Sequence, residues 1–120
     1  MTLRVRNIPT SYEDAEKLLK KNGSRKISKN GWLVMAPEQV MERCIILKLY
    51  RTSIVTYYPN GSMKLDCGQF PTSTSQHWLN TALWNRGIIT RNSYGLHWSH
   101  SNGYARYLPV IINKNNEIVE

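Results

Sequence analysis

The sequence predicts an α+β fold: a twisted, mostly antiparallel sheet of five to seven short strands, with two helices at about 11–22 and 73–86 packed on it. Three observations carry this prediction. Residues 44–50, 54–58 and 62–66 form three successive runs rich in Ile, Leu, Val, Thr and Tyr, which suit a pleated, half-buried surface. Asn-Gly pairs at 30–31 and 60–61 separate β-type runs, and such pairs supply the positive φ angles of tight hairpin turns. Two other segments carry apolar residues at helical spacing behind capping residues.

In chain order, residues 2–8 alternate weakly, Leu3 and Val5 against Arg4 and Arg6, as in a short edge strand or an ordered arm, and Pro9 ends the pattern. Thr10 or Ser11 then caps a helix with Glu13, Asp14 and Glu16 in its first turn. Tyr12, Ala15, Leu18 and Leu19 share one face, Lys17, Lys20 and Lys21 crowd the C-terminal end, and Gly23 is the expected C-cap. Residues 25–28 and 32–35 flank Lys29-Asn30-Gly31 as a hairpin, and 36–43 read as a long connection between strands. Gly68 and Pro71 stop the sheet pattern. Ser73-Thr74-Ser75-Gln76 fits a capping box, after which Trp78, Leu79, Ala82, Leu83 and Arg86 recur at helical spacing until Gly87. Trp78 and Trp84 lie about 240° apart around that helix, so one is expected in the core and the other half exposed. Residues 88–90, 94–99 and 104–108 read as strands, the last two as a hairpin about a Ser-Asn-Gly turn at 101–103. Residues 110–112 add a strand, and 113–116 turn the chain into a short tail at Ile118 and Val119.

A chain of 120 residues without repeat, low-complexity tract or linker is expected to form a single domain over 1–120. No apolar run approaches the roughly 18–20 residues that span a bilayer, and the start of the chain lacks the apolar core of a signal peptide, so a cytoplasmic protein without membrane contact is expected. Cys44 and Cys67 are expected as buried thiols; a disulfide stays open if their strands pair, although a reducing cytosol opposes it.

The search for chemistry yields little. His97 and His100 are the one close histidine pair, and strand alternation would turn them to opposite faces, so neither metal nor cofactor is expected. Glu13, Asp14 and Glu16 are explained by helix capping, Glu117 and Glu120 lie in the tail, and Asp66, Glu38 and Glu42 have no partner at a telling spacing. There is no nucleophile elbow and no Gly-rich phosphate loop. The expectation is a protein that binds rather than catalyses.

Charge and aromatics point to what it binds. Sixteen Lys/Arg against eight Asp/Glu give a formal net charge of +8. Residues 1–29 hold eight bases against three acids, so +5 of that total lies in the first quarter. Such a field attracts polyanions: nucleic acid, nucleotides or an acidic protein face. Four Trp and seven Tyr accompany a single Phe, and Trp and Tyr suit both interfaces and base stacking. Tyr94, His97, Trp98, His100, Tyr104, Arg106 and Tyr107 make the C-terminal hairpin dense in rings. The candidate partner-binding residues are therefore Lys17, Lys20, Lys21, Arg25, Lys26 and Lys29 together with Tyr94, Trp98, Tyr104 and Arg106.

Residues 26–80 also carry a recurrent pattern: K-I-x-x-N-x-x-L at Lys26, Ile27, Asn30 and Leu33; T-x-I-V-T-Y at 52–57 followed by Gly61 and Leu65; then Gly68, Thr72 and Thr74 ahead of a helix bearing Asn80. On these residues the chain resembles a family of small uncharacterised bacteriophage proteins. Gln69-Phe70-Pro71 stands where that family has Gly-Trp and a basic residue, and the 11–22 helix is an addition. The resemblance implies a phage origin and a strand-rich fold, and carries no catalytic residue over. Together with the composition it yields three readings. The first is a non-catalytic inhibitor or host-takeover factor that binds a host protein–nucleic-acid machine such as a CRISPR effector. The second is a basic module contacting DNA or RNA directly. The third is a binder of a signalling nucleotide.

Overall fold

The structure, a computed structural model, describes residues 8–19, 23–36 and 43–119. The expected arm before Ile8, most of the 36–43 connection, and Lys20 and Lys21 fall outside the described residues.

The first helix, α1, spans Tyr12–Leu19. The Asp14 amide donates to Ser11 Oγ at 3.2 Å, and the Thr10 hydroxyl donates to the Asp14 carboxylate at 3.2 Å, so the polar pair before the helix ties its first turn. Tyr12, Ala15 and Leu19 turn inward. At the other end the Arg25 guanidinium donates to the Leu18 carbonyl at 2.9 Å, satisfying one of the carbonyls that a helix C-terminus leaves open.

Strands β1 (Ser24–Ser28), β2 (Gly31–Met35), β3 (Ile45–Leu49), β4 (Thr52–Tyr57) and β5 (Met63–Leu65) follow one another as an antiparallel meander. After helix α2 (Ser73–Leu83) come β6 (Ile88–Asn92), β7 (Gly95–Ser99), β8 (Ala105–Tyr107), β9 (Val110–Ile112) and β10 (Ile118–Val119). The meander is extended by the end of the chain into a seven-stranded sheet, β1-β2-β3-β4-β5-β9-β10, while β6-β7-β8 form a separate three-stranded sheet. The α+β class is thus as predicted; the division into two sheets is new, and it arises because β9 pairs with β5 instead of continuing from β8.

Register explains the core. Across the large sheet, Leu33, Leu47, Val55, Leu65 and Val110 are successive partners, and all are buried. A second row runs Met35, Ile45, Tyr57, Met63, Ile112 and Ile118. Each fully buried side chain of this kind stabilises the fold by about 1.5–3 kcal/mol. A bulge opposite Leu47 and Lys48 places one extra residue in β4, which is why Ile54 and Val55, adjacent in sequence, are both buried. The Tyr57 hydroxyl donates to the Pro9 carbonyl at 2.6 Å, and burial pushes its phenol well above the ordinary tyrosine range. Cys44 and Cys67 are both buried thiols; burial, then the Asp66 carboxylate, raises Cys67.

Three local expectations need correction. The 29–31 turn consists of Lys29 and Asn30 alone, because Gly31 is already in β2, paired with Ser28 and Leu49. Gly31 is needed for space instead: a Cβ there would lie 2.0 Å from Trp78 Cη2. Helix α2 is capped by Thr72, one residue before the capping box read from the sequence; its hydroxyl accepts the Ser75 amide at 3.1 Å. The same helix ends at Leu83, with Trp84 at φ 58°, and does not reach Arg86. Arg86 is drawn sideways: its guanidinium donates to Asn116 Oδ1 at 2.8 Å and to the Asn113 carbonyl at 2.6 Å, and its carbonyl accepts the Trp98 indole at 2.9 Å. Half-burial lowers the Arg86 pKa from the usual guanidinium value.

Candidate nucleic-acid interface

Strand alternation gives the large sheet a second face. The register row Lys26, Trp32, Lys48 and Ser53 points away from the buried rows, as does the row Ser24, Val34, Ile46, Thr56, Lys64, Ile111 and Val119. Except for Thr56, which is buried, these side chains are half-exposed or exposed. Lys26, Lys48 and Lys64 supply three cations to these two rows, and neither row carries an acid. Trp32 has a lysine as cross-strand partner on both sides, and Lys26 Nζ lies 5.8 Å from the Trp32 ring centroid.

At the end of the sheet lies a groove of about 780 Å³, within the size range of small-ligand sites. Two hairpin turns and the entry to α2 build it. Lys29 and Asn30 come from the β1–β2 turn, Tyr50 and Arg51 from the β3–β4 turn, and Phe70 and Thr72 from the loop that leads into α2. Trp32 borders both groove and sheet face. The aromatic residues are open to solvent, Trp32 at 42%, Tyr50 at 66% and Phe70 at 62% exposure. The charged lining residues are Lys29 and Arg51, with no carboxylate among them.

Tyr50 is held in place at both ends by one residue. Its amide donates to the Asn30 carbonyl at 2.6 Å, and its hydroxyl accepts from Asn30 Nδ2 at 3.2 Å. Its backbone sits at φ 56°, a conformation that a bulky side chain adopts only when its surroundings impose it. A large ring has thus been placed, at a cost in backbone strain, where a turn ordinarily takes Gly or Asn.

The residues singled out from the sequence are distributed over both sheets. Lys26 is on the open face and Lys29 in the groove. Lys17 is exposed on α1, while Arg25 turns to the end of that helix and is structural. The assignment of Trp98 to a binding surface is overturned: it is fully buried in the core, with its indole spent on the Arg86 carbonyl. Register separates it from His97 and Tyr107, because Trp98 and Arg106 share one row of the small sheet while Thr90, His97 and Tyr107 share the next; of the rings it was grouped with, His100 stacks on it at 6.2 Å. On that second row His97 and Tyr107 meet edge-on at 4.9 Å, and Tyr94, 86% exposed at the β6–β7 turn, meets Tyr107 at 6.5 Å. Tyr104 and Arg106 are exposed nearby. His97 and His100 do not converge: His100 binds the Asn102 amide through Nδ1. Among the described residues no group of three or more His, Cys, Asp and Glu is placed to hold a metal, and no helix is long and apolar enough to cross a membrane.

The groove residues Trp32, Tyr50, Arg51 and Phe70 were not singled out beforehand. Their signal is present in the sequence: Tyr50-Arg51 interrupts two strands where small polar residues are usual, and Phe70 lies exposed between Gly68 and Pro71. Comparison with protein-family models, with curated proteins and with solved structures finds no match for this chain.

Proposed function

We propose that the protein is a non-catalytic, cytoplasmic binding module for nucleic acid, engaging its ligand through the open face of the large sheet and the adjoining groove. The observation that carries this reading is the sign of the surface: Lys26, Lys29, Lys48, Arg51 and Lys64 with Trp32 among them, and no acid in the two register rows or on the groove lining. Cations on such a face bind phosphates and release counterions, so affinity falls with salt. The test is anisotropy of labelled random-sequence DNA and RNA against salt concentration. Five phosphate contacts predict a log–log slope of about −3.5 on a single strand and about −4.5 on a duplex. Absence of binding at low salt, or a flat slope, refutes the reading.

The outer face of the small sheet favours a second reading, in which a phage-type factor binds a host protein–nucleic-acid machine, such as a CRISPR effector, and inhibits or redirects it. Tyr94, Tyr107 and His97 form an exposed aromatic run there, and aromatic rings anchor protein interfaces. Capture from host lysate that survives nuclease treatment and is lost in Tyr94→Ala/Tyr107→Ala supports this reading; capture lost on nuclease treatment refutes it.

A further inference from the structure

We infer that the groove accepts unpaired bases, so that the ligand of this surface is a single strand and not a duplex; the inference rests on the nucleic-acid reading above. The open sheet face alone does not discriminate, because lysines recognise the phosphates of either form. The groove does. A base has two π-faces that are accessible only when it has left a duplex stack, and Trp32, Tyr50 and Phe70 offer aromatic surface around one concavity. Its volume of about 780 Å³ exceeds what one base needs and suits one or two nucleotides. Lys29 and Arg51 stand on the same lining, which brings phosphate-binding charge beside stacking surface, the combination found in single-strand channels.

The build of the groove supports an occupant of this kind. Tyr50 is fixed from both ends by Asn30 in a left-handed conformation, so its ring is positioned before any ligand arrives. Trp32 stands between Lys26 and Lys48 on the row that leads across the sheet. A strand whose backbone follows the lysines of the sheet face therefore reaches the groove with its bases beside Trp32. The occupant is charged and aromatic together, which fits a lining that has cations and rings and no acid better than an apolar peptide does.

The test compares a single-stranded oligonucleotide, a blunt duplex of the same length, and a single strand with abasic residues, all at one low salt concentration. The unmodified single strand is expected to bind at least about tenfold more tightly than the other two, the size of one base–aromatic stack. Phe70→Ala and Tyr50→Asn are each expected to weaken single-strand binding about tenfold and to leave duplex and abasic binding within about twofold. Both side chains are largely solvent-exposed, and Asn tolerates the φ of 56° at position 50, so the variants are expected to fold. In a Trp84→Phe background, which removes the other exposed tryptophan, single strands should quench the emission of Trp32 and duplex should not. Equal affinity for single strand and duplex, or variants without effect, overturns the inference and leaves the nucleic-acid reading standing. Binding of none of the three overturns both.

Discussion

Gly31→Ala tests the packing that supports the groove. A Cβ at position 31 would lie 2.0 Å from Trp78 Cη2 and 2.4 Å from Cζ3, whereas carbon atoms pack at about 3.5–4.0 Å. The indole therefore has to withdraw by about 1.5–2 Å. It has little room to do so, being 5% exposed and part of the core cluster. Position 31 cannot lift away either, because it is paired with Ser28 on one side and Leu49 on the other. Overpacking of this severity is expected to cost about 3 kcal/mol. With a urea m-value of about 2 kcal/mol/M, the unfolding midpoint should fall by about 1.5 M at unchanged m. The double variant Gly31→Ala/Trp78→Leu separates this cause from others. Trp78→Leu alone loses contacts of its own, but it removes the clash, so the double variant should be no less stable than Trp78→Leu, with a coupling of about 2–3 kcal/mol between the sites. If Gly31→Ala unfolds within about 0.5 kcal/mol of the parent, or if the two losses simply add, the close approach of Trp78 to β2 is wrong.

Other perturbations follow from single contacts. Gly61→Val is expected to destabilise by about 1–3 kcal/mol, because Gly61 sits at φ 91° with Lys114 Cβ 2.8 Å from the position its own Cβ would take; an unchanged denaturation midpoint would refute the turn. Asn80→Ala should cost about 1–3 kcal/mol in urea denaturation, since Asn80 accepts from the Ile89 amide at 2.8 Å and donates to the Ile89 carbonyl at 3.1 Å; a neutral result refutes that clamp. Tyr57 governs part of the alkaline limb. Its folded pKa is raised, so its contribution is complete below the unfolded value near 10 and is lost as pH rises from there toward the folded value. Over that window it should remove about 1.4 kcal/mol per pH unit, and Tyr57→Phe should flatten the pH dependence of the unfolding midpoint above pH 10 by that amount.

The strands and turns of 44–66 were legible because alternation and Asn-Gly chemistry are local. The same holds for Trp78 inside and Trp84 outside, which follow from position around a helix. The two-sheet division was not legible, since the pairing of Lys64 with Ile111 joins residues far apart in the chain, and no local signal states it. Trp98 illustrates the limit for sites. Periodicity places it opposite His97, but which of the two faces is covered depends on where Arg86 and Gly87 lie, and those were read as the end of a helix. Several residues of the pattern at 26–80 have structural roles. Thr72 caps α2, Gly61 and Gly68 take positive φ, and Asn80 binds the backbone of β6. The groove was not legible because its rings come from a strand, a hairpin turn and a loop that lie far apart in the chain, Trp32, Tyr50 and Phe70.

The grip of Asn80 on Ile89 has a consequence for how the protein behaves among its own copies. Strand β6 is the outer member of the small sheet, and an outer strand normally displays open amides and carbonyls to any passing extended chain. Here the carboxamide of Asn80 occupies both backbone groups of Ile89, as a neighbouring strand would, and Gln76 adds a second donor to the same carbonyl at 3.1 Å. A foreign strand seeking to dock along β6 meets a helix instead. In Asn80→Ala the Ile89 amide is left open and Gln76 alone remains on its carbonyl, so the variant should form intermolecular β-structure, visible by thioflavin fluorescence, more readily than Gly61→Val of similar stability.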